Sequence, residues 1–189
     1  MKNIFLLLVL TTCILISCSK DNNMVIEVDK DVKETLERER ALWDEQKNKN
    51  YQFAYHHDDD VFMSIPYGTL VAKIAITDGE EPLFVELSPN FPDNYIRVKS
   101  VSDAYDMVNH LIDKAFLLIE IIKAKQAGKK VTDTYSRFVI SVRLNIIYNA
   151  QYHYPEEIIY RTEHSEPFSD GGRGTKFRIT EFTPIINEN

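Results

Sequence analysis

The chain of 189 residues has only two cysteines, Cys13 and Cys18, and both lie near its start. From residue 19 onward there is no thiol, which excludes disulfides and thiolate metal sites from that part of the chain. Glycine is scarce as well, at six residues, whereas there are ten tyrosines and ten phenylalanines. This composition is typical of a packed globular domain and not of a low-complexity surface protein.

Positive charge is also in deficit, since the formal net charge is −7 and Lys2 lies in the first few residues. This balance gives no indication of a nucleic-acid partner or of a polybasic membrane surface. Long hydrophobic runs are missing after residue 16: the segment "FLLIEII" at 116–122 is short and contains Glu120. It falls well below the roughly 20 apolar residues that a membrane-spanning helix needs.

The N-terminus has the pattern of a secretory signal peptide. A short positive segment, Met1-Lys2-Asn3, precedes the uncharged run "IFLLLVLTTCILI" at residues 4–16. The run is too short for a stable membrane span, and its length and flanks favour a cleaved leader.

The end of this leader, "LISC" at Leu15–Cys18, resembles the lipobox of bacterial lipoproteins. In that family the cysteine thiol is linked to diacylglycerol, the leader is cut before it, and the new amine is usually acylated. The resemblance implies that Cys18 is lipidated and becomes the first residue of the mature chain. An ordinary leader with an incidental cysteine and an uncleaved helix are the alternatives. Two or three acyl chains hold firmly, so we expect a membrane-tethered body.

The resemblance also implies a location in the bacterial cell envelope. Ser19 follows the cysteine where many inner-membrane lipoproteins have Asp, which favours the outer membrane and leaves open whether the body faces the periplasm or the exterior. We expect three segments: a signal peptide (1–17), a lipidated cysteine and tether (18–30), and one domain (31–189).

Two helices are predicted within that domain. Residues 31–47 form a charged helix with a narrow apolar stripe that includes Leu36 and Trp43. Residues 102–126 form a longer helix with a broad apolar face, for which Ser102 is the expected N-cap and Gly128 the expected end.

Alternating apolar residues predict six strands. Three precede the long helix, at 51–55, 70–76 and 83–87, and three follow it, at 138–148, 156–163 and from Phe177 onward. Phe182 falls out of phase, which predicts a bulge or a bend near Thr180. We therefore expect an α+β fold of order α-β-β-β-α-β-β-β, with an antiparallel sheet of about six strands and the helices on one face.

Four short motifs are found along the domain: Trp43 with "YQFAY" (51–55), "KIAITDG" (73–79), "YNAQYHYPEEI" (148–158) and "FRITEFTP" (177–184). Together they resemble an uncharacterised family of bacterial envelope domains, many of them lipoproteins. This chain has Asn149 where the family pattern has Asp and His153 where it has Gly, and it lacks a cysteine pair found in some members. The resemblance implies no activity and no catalytic residues. The layout is also similar to small envelope domains that bind peptides or proteins.

The run His56-His57-Asp58-Asp59-Asp60 is the most metal-like segment, because imidazoles and carboxylates are metal ligands. Adjacent strand residues point to opposite sides, so only alternate members could share a site. An exposed acidic turn is the competing interpretation, and we assign no metal ligand and no cofactor.

Residues 164–174 invite two further interpretations, and both fail. The segment Asp170–Gly174 lacks the residue order of a phosphate loop, and a turn between strands is favoured. A triad from His164, Ser165 or Ser169, and Asp170 lacks the strained elbow of a nucleophilic serine. We therefore predict no catalytic residue.

Tyr148, Tyr152, Tyr154 and Tyr160 cluster around a proline and form a possible recognition patch. The competing interpretation is a tyrosine-lined end of the sheet. The sequence thus predicts a lipid-anchored envelope protein with a protein or peptide partner and no chemistry of its own. A metal-dependent hydrolase or metal-binding protein that uses His56–Asp60, and a structural component of an envelope complex, are the alternatives.

Overall fold

The computed structural model describes residues 24–46, 49–59, 69–78, 80–89, 96–132, 138–165 and 173–185. The signal peptide, Cys18, Asp60 and Gly171 lie outside the described residues. The elements are β1 (Val25–Val28), α1 (Val32–Asp44), β2 (Tyr51–Asp59), β3 (Leu70–Ile76), β4 (Leu83–Leu87), α2 (Val101–Gln126), β5 (Val139–Tyr148), β6 (Pro155–His164) and β7 (Arg173–Pro184).

The α+β class is confirmed, with a seven-stranded sheet in the order β1-β5-β6-β7-β2-β3-β4. All neighbouring strands are antiparallel except β1 and β5, which are parallel. The two helices contact each other through ion pairs of Lys33 with Asp113 (2.7 Å) and Arg40 with Asp106 (3.0 Å). Their buried residues join one hydrophobic core with the sheet. Neither described helix is long and apolar enough to cross a membrane.

The strand β1 corrects the prediction that residues 18–30 form only a tether. Residues 25–28 pair with β5, from Val25 opposite Ser141 to Val28 opposite Leu144. Four residues are too few to show a periodic pattern, and the partner strand lies more than a hundred positions later in the chain. The sheet therefore has seven strands, and one of them begins close to Cys18 in sequence.

The start of α2 differs from the prediction by two residues. Ser100 is the N-cap, and its hydroxyl accepts a hydrogen bond from the backbone N–H of Asp103 at 3.1 Å. Ser102 lies inside the first turn and is exposed. The helix ends as predicted: Gly128 has φ +72° and follows the C-cap, a conformation that favours glycine.

The predicted bulge in the last strand is confirmed. Gln52 pairs with Thr183 whereas Ala54 pairs with Thr180, so two residues of β7 lie opposite Phe53 alone. Glu181 takes a positive φ of 52° at this point. Because side chains alternate along a strand, the extra residue moves Phe182 onto the face that already carries Phe177 and Ile179.

The position of the helix cap gives a direct test of the fold. Ser100→Ala should lower the free energy of unfolding by about 1 kcal/mol, because it removes the acceptor for the Asp103 N–H. Ser102→Ala is the matched control and should change it by less than about 0.5 kcal/mol, because Ser102 is an exposed residue within the helix. Urea denaturation followed by circular dichroism measures both, and a larger loss for Ser102→Ala would contradict the assignment.

Candidate functional site

The most tightly organised polar region is the turn of residues 149–154 between β5 and β6, which we call the anchored turn. The Asn149 N–H donates to the Tyr154 carbonyl at 2.9 Å, and the His153 N–H donates to the Asn149 carbonyl at 2.8 Å. The Asn149 side-chain oxygen accepts from the N–H groups of Gln151 (3.1 Å) and Tyr152 (3.0 Å). Asn or Asp suits this position, because a short side-chain carbonyl can accept bonds from residues just after it.

The backbone of His153 has a φ of 65°, a left-handed conformation in which a histidine is unusual. The side chain of His153 also contacts α1, with its Nδ1 atom at a hydrogen-bond distance of 2.9 Å from Oε2 of Glu39. Glycine would avoid the strained backbone but could not make that contact.

Two further hydrogen bonds fix the anchored turn on the helices. The Tyr105 hydroxyl on α2 donates to the His153 carbonyl at 2.6 Å. The Gln46 amide, just after α1, donates to the Tyr152 carbonyl at 2.7 Å. Together with the Glu39–His153 pair, these contacts join the hairpin to both helices.

Glu39 is the charged centre of this network, with a side chain only 13 % exposed. Burial acts to raise its pKa, but hydrogen bonds and charges from Arg38 and His153 outweigh that effect, so the pKa of Glu39 lies below its usual value. The Arg38 guanidinium lies 2.9 Å from the carboxylate. Glu39 is therefore ionised at neutral pH and acts as a hydrogen-bond acceptor.

The neighbouring tyrosines stay protonated. Burial raises the pKa of Tyr105 and of Tyr148, and the negative charge of Glu39 adds to the effect in both. Burial, helped by the charge of Glu156, raises the pKa of Tyr154 to about 12. These phenols can donate hydrogen bonds at neutral pH, but none is activated as a nucleophile or base.

An aromatic cluster lies beside the anchored turn, and Phe182 is at its centre. Its ring centroid is 4.6 Å from that of Tyr154, 4.9 Å from Tyr152, 5.3 Å from Tyr51 and 6.0 Å from Trp43. Trp43 and Tyr51 meet edge to face at 5.3 Å. Such pairs contribute about 0.5–1.5 kcal/mol each beyond the area they bury. The bulge in β7 therefore supplies the residue that joins α1, β2 and the turn.

The four tyrosines of the predicted recognition patch do not form one exposed surface, which corrects that prediction. Tyr154 and Tyr160 are 3 % and 2 % exposed and belong to the core. Tyr148 is half-buried and stacks on Tyr105, with 6.4 Å between the ring centroids. Tyr152 and Tyr154 share a neighbour, Phe182. The helices cover the sheet face on which these tyrosine rings lie. The apolar area of the rings therefore packs in or against the hydrophobic core.

The structure places the two histidines of the metal-like run in separate surroundings. His56 Nε2 lies 2.9 Å from the Thr180 hydroxyl, and His57 Nδ1 lies 2.6 Å from the Tyr55 hydroxyl. They are consecutive residues of β2 and so face opposite sides of the sheet. Across the described part of the chain, no three His, Cys, Asp or Glu residues come close enough to hold a metal ion.

The remaining sequence motifs also stay apart from the anchored turn. His164 is buried at the last residue of β6, and the Ser165 hydroxyl donates to the Phe138 carbonyl at 3.3 Å. Ser169 and Asp170 lie outside the described residues. Gly174 lies within β7, opposite Arg161, so it belongs to the sheet.

Sequence reasoning missed an exposed apolar surface on β4, the edge strand next to β3. Leu83 is 65 % exposed, Val85 54 % and Leu87 37 %. Among the residues that the structure describes, β4 pairs with β3 alone, and its pairing shifts at Val85. The pattern "LFVEL" predicts the strand but not its place at an edge, which depends on the order of all seven strands.

Comparisons with models of protein families, with curated proteins and with solved structures find no match for this chain.

Two matched variants measure how much the hydroxyls of Tyr105 and Tyr148 each contribute to the free energy of unfolding. Tyr105→Phe removes the donor to the His153 carbonyl and should lower the free energy of unfolding by about 1–2 kcal/mol. Tyr148→Phe should be neutral or slightly stabilising, because the Tyr148 hydroxyl is buried and has no hydrogen-bond partner among the described residues. Both are measured by urea denaturation at neutral pH. Equal losses in the two variants would show that the Tyr105 bond does not hold the turn.

Proposed function

We propose that the protein is a lipid-anchored component of the bacterial cell envelope that acts by binding another protein. The lipid anchor is supported by the leader that ends in "LISC", which places Cys18 at the boundary between an apolar run and a polar segment. The resemblance of residues 40–186 to an envelope family that includes many lipoproteins agrees with this location.

The edge strand β4 supports the proposal that the protein binds another protein. A strand at the edge of a sheet has backbone N–H and C=O groups on one side that can pair with an added strand. Leu83, Val85 and Leu87 add exposed apolar area beside those groups. Exposed apolar side chains on an edge strand are a liability unless they are covered by a partner. The proposed partner therefore contributes an extended segment with apolar residues beside β4.

Acylation of Cys18 has a simple test in a bacterial host. Cys18→Ser should abolish labelling by a fatty-acid analogue and leave an uncut precursor, because the thiol is the atom that carries the lipid. Cys13→Ser is the matched control and should be labelled and cut normally, since this residue lies in the part that is removed. Gel mobility with fatty-acid labelling reads out both, and unchanged labelling of Cys18→Ser would refute the anchor.

Binding at β4 can be tested by cross-linking from a single introduced cysteine, because the lipidated mature chain has no other free thiol. Leu83→Cys should give a discrete cross-linked adduct in native membranes. Leu117→Cys, which replaces a similarly exposed leucine (62 %) on α2, should not. Adding Val85→Asp to Leu83→Cys should remove the adduct, because it places a charge within the apolar surface. Equal adducts at both positions, or an adduct that persists with Val85→Asp, would rule out β4 as the binding edge.

A further inference from the structure

The body has two distinct ends along the strand direction. At one end lie the starts of β1 and β5 and the last residue of β6, since Val25 pairs with Ser141 and Val139 pairs with His164. The last turn of α2 reaches the same end, where the Lys125 ammonium donates to the Val139 carbonyl. We call this the tether end, because β1 is the described element closest in sequence to Cys18.

The far end carries the anchored turn, the aromatic cluster and the start of α2. The Val101 N–H donates to the Tyr51 hydroxyl at 3.1 Å, which places the first residue of α2 beside the first residue of β2. Trp43, at the end of α1, lies against Tyr51. Trp43 is also the only tryptophan in the chain.

Positive charge is concentrated at the C-terminal end of α2, which lies at the tether end, although the chain as a whole is acidic. The segment "KAKQAGKK" at 123–130 holds four lysines and no acidic residue. Lys125 points inward, whereas the Lys123 side chain is 60 % exposed and Lys129 and Lys130 are exposed. Lysines in the last turn of a helix also complement its dipole, which accounts for Lys123. Lys129 and Lys130 follow the helix end, where the dipole gives them a smaller role.

Nearby acidic groups neutralise only part of this charge. Glu120 lies 3.2 Å from Lys123 and offsets it. Glu163 lies opposite Ser141 in the pairing of β6 with β5, so it belongs to the sheet and not to the helix. The charge available to a partner at this end of α2 is therefore that of Lys129 and Lys130.

The reach of the chain determines which end can meet a bilayer. Cys18 precedes Val25 by seven residues, which span about 25 Å at most when fully extended. From Ser141, opposite Val25, to the end of β5 at Tyr148 is a further seven residues, or about 23 Å of strand. The anchored turn extends beyond that. For the far end to touch the membrane, the connecting segment would have to be stretched to its limit, whereas the tether end reaches it easily.

We propose that Lys129 and Lys130 bind anionic lipid headgroups and hold the body upright, with the tether end on the bilayer and the aromatic cluster away from it. This inference rests on the proposed lipid anchor at Cys18. The anchor supplies the affinity for the membrane, and the lysines set the orientation. A basic residue near an anionic surface shifts such an equilibrium by about fivefold.

Energy transfer from Trp43 to a dansyl-labelled lipid measures this orientation in the full lipidated protein. The protein is inserted into vesicles of phosphatidylcholine alone or of phosphatidylcholine with phosphatidylglycerol. Transfer should be weaker on the anionic vesicles, because an upright body keeps Trp43 far from the headgroups. The double variant Lys129→Glu and Lys130→Glu should lose this difference. Lys99→Glu, a charge reversal of an exposed lysine at the far end, should keep it.

The outcomes separate the two proposals. Intact mass of the purified protein first reports the acyl groups on Cys18, and their absence would overturn both the anchor and the orientation. With acylation present, equal transfer on the two kinds of vesicle would overturn the orientation and leave the anchor intact. A difference that survives in the double variant would overturn the role of Lys129 and Lys130.

Discussion

The burial of one broad face of α2 is the constraint on which the rest of the structure depends. Ten residues of this 26-residue helix are buried, from Val101 to Ile122, and they lie against a single continuous core. A sheet several strands wide offers an apolar face large enough to cover them. The helix packs mainly on β5 and β6, and the remaining strands extend the same face toward β4. The shorter helix, α1, also packs into this core. It buries few residues, among them Leu36 and Trp43, because its apolar stripe is narrow.

This arrangement needs a fixed relation between the helices and the β5–β6 hairpin, and the anchored turn provides it. Glu39 and Tyr105 come from different helices, yet both contact His153. A strained histidine backbone is tolerated because the side chain and the carbonyl of the same residue are both bound. A hydrogen bond to a charged group stabilises by about 1.5–3 kcal/mol, which is similar to the cost of one residue in a left-handed conformation. The region therefore serves as a brace inside the domain.

The sequence was sufficient for those parts of the fold that depend on local periodicity. The bounds of β3 and β4 are those the alternation predicts, and the phase break at Phe182 correctly indicates the bulge in β7. Residues 25–28 were missed because a four-residue parallel strand is stabilised by a partner distant in sequence. The tyrosines of the predicted patch are too amphipathic for composition to decide between core and surface, and only the order of the strands places Tyr154 and Tyr160 beneath the helices. The Glu39–His153 pair joins residues 114 positions apart, which no spacing rule connects.

The parallel pairing of β1 with β5 has a mechanical consequence. If Cys18 is held in a bilayer, any pull on the body enters the domain at Val25 and runs along the axis of β1. The hydrogen bonds between the two strands lie across that direction, so they are loaded together and do not open one after another. Strands that are loaded in this way resist a pull better than strands whose hydrogen bonds open in sequence.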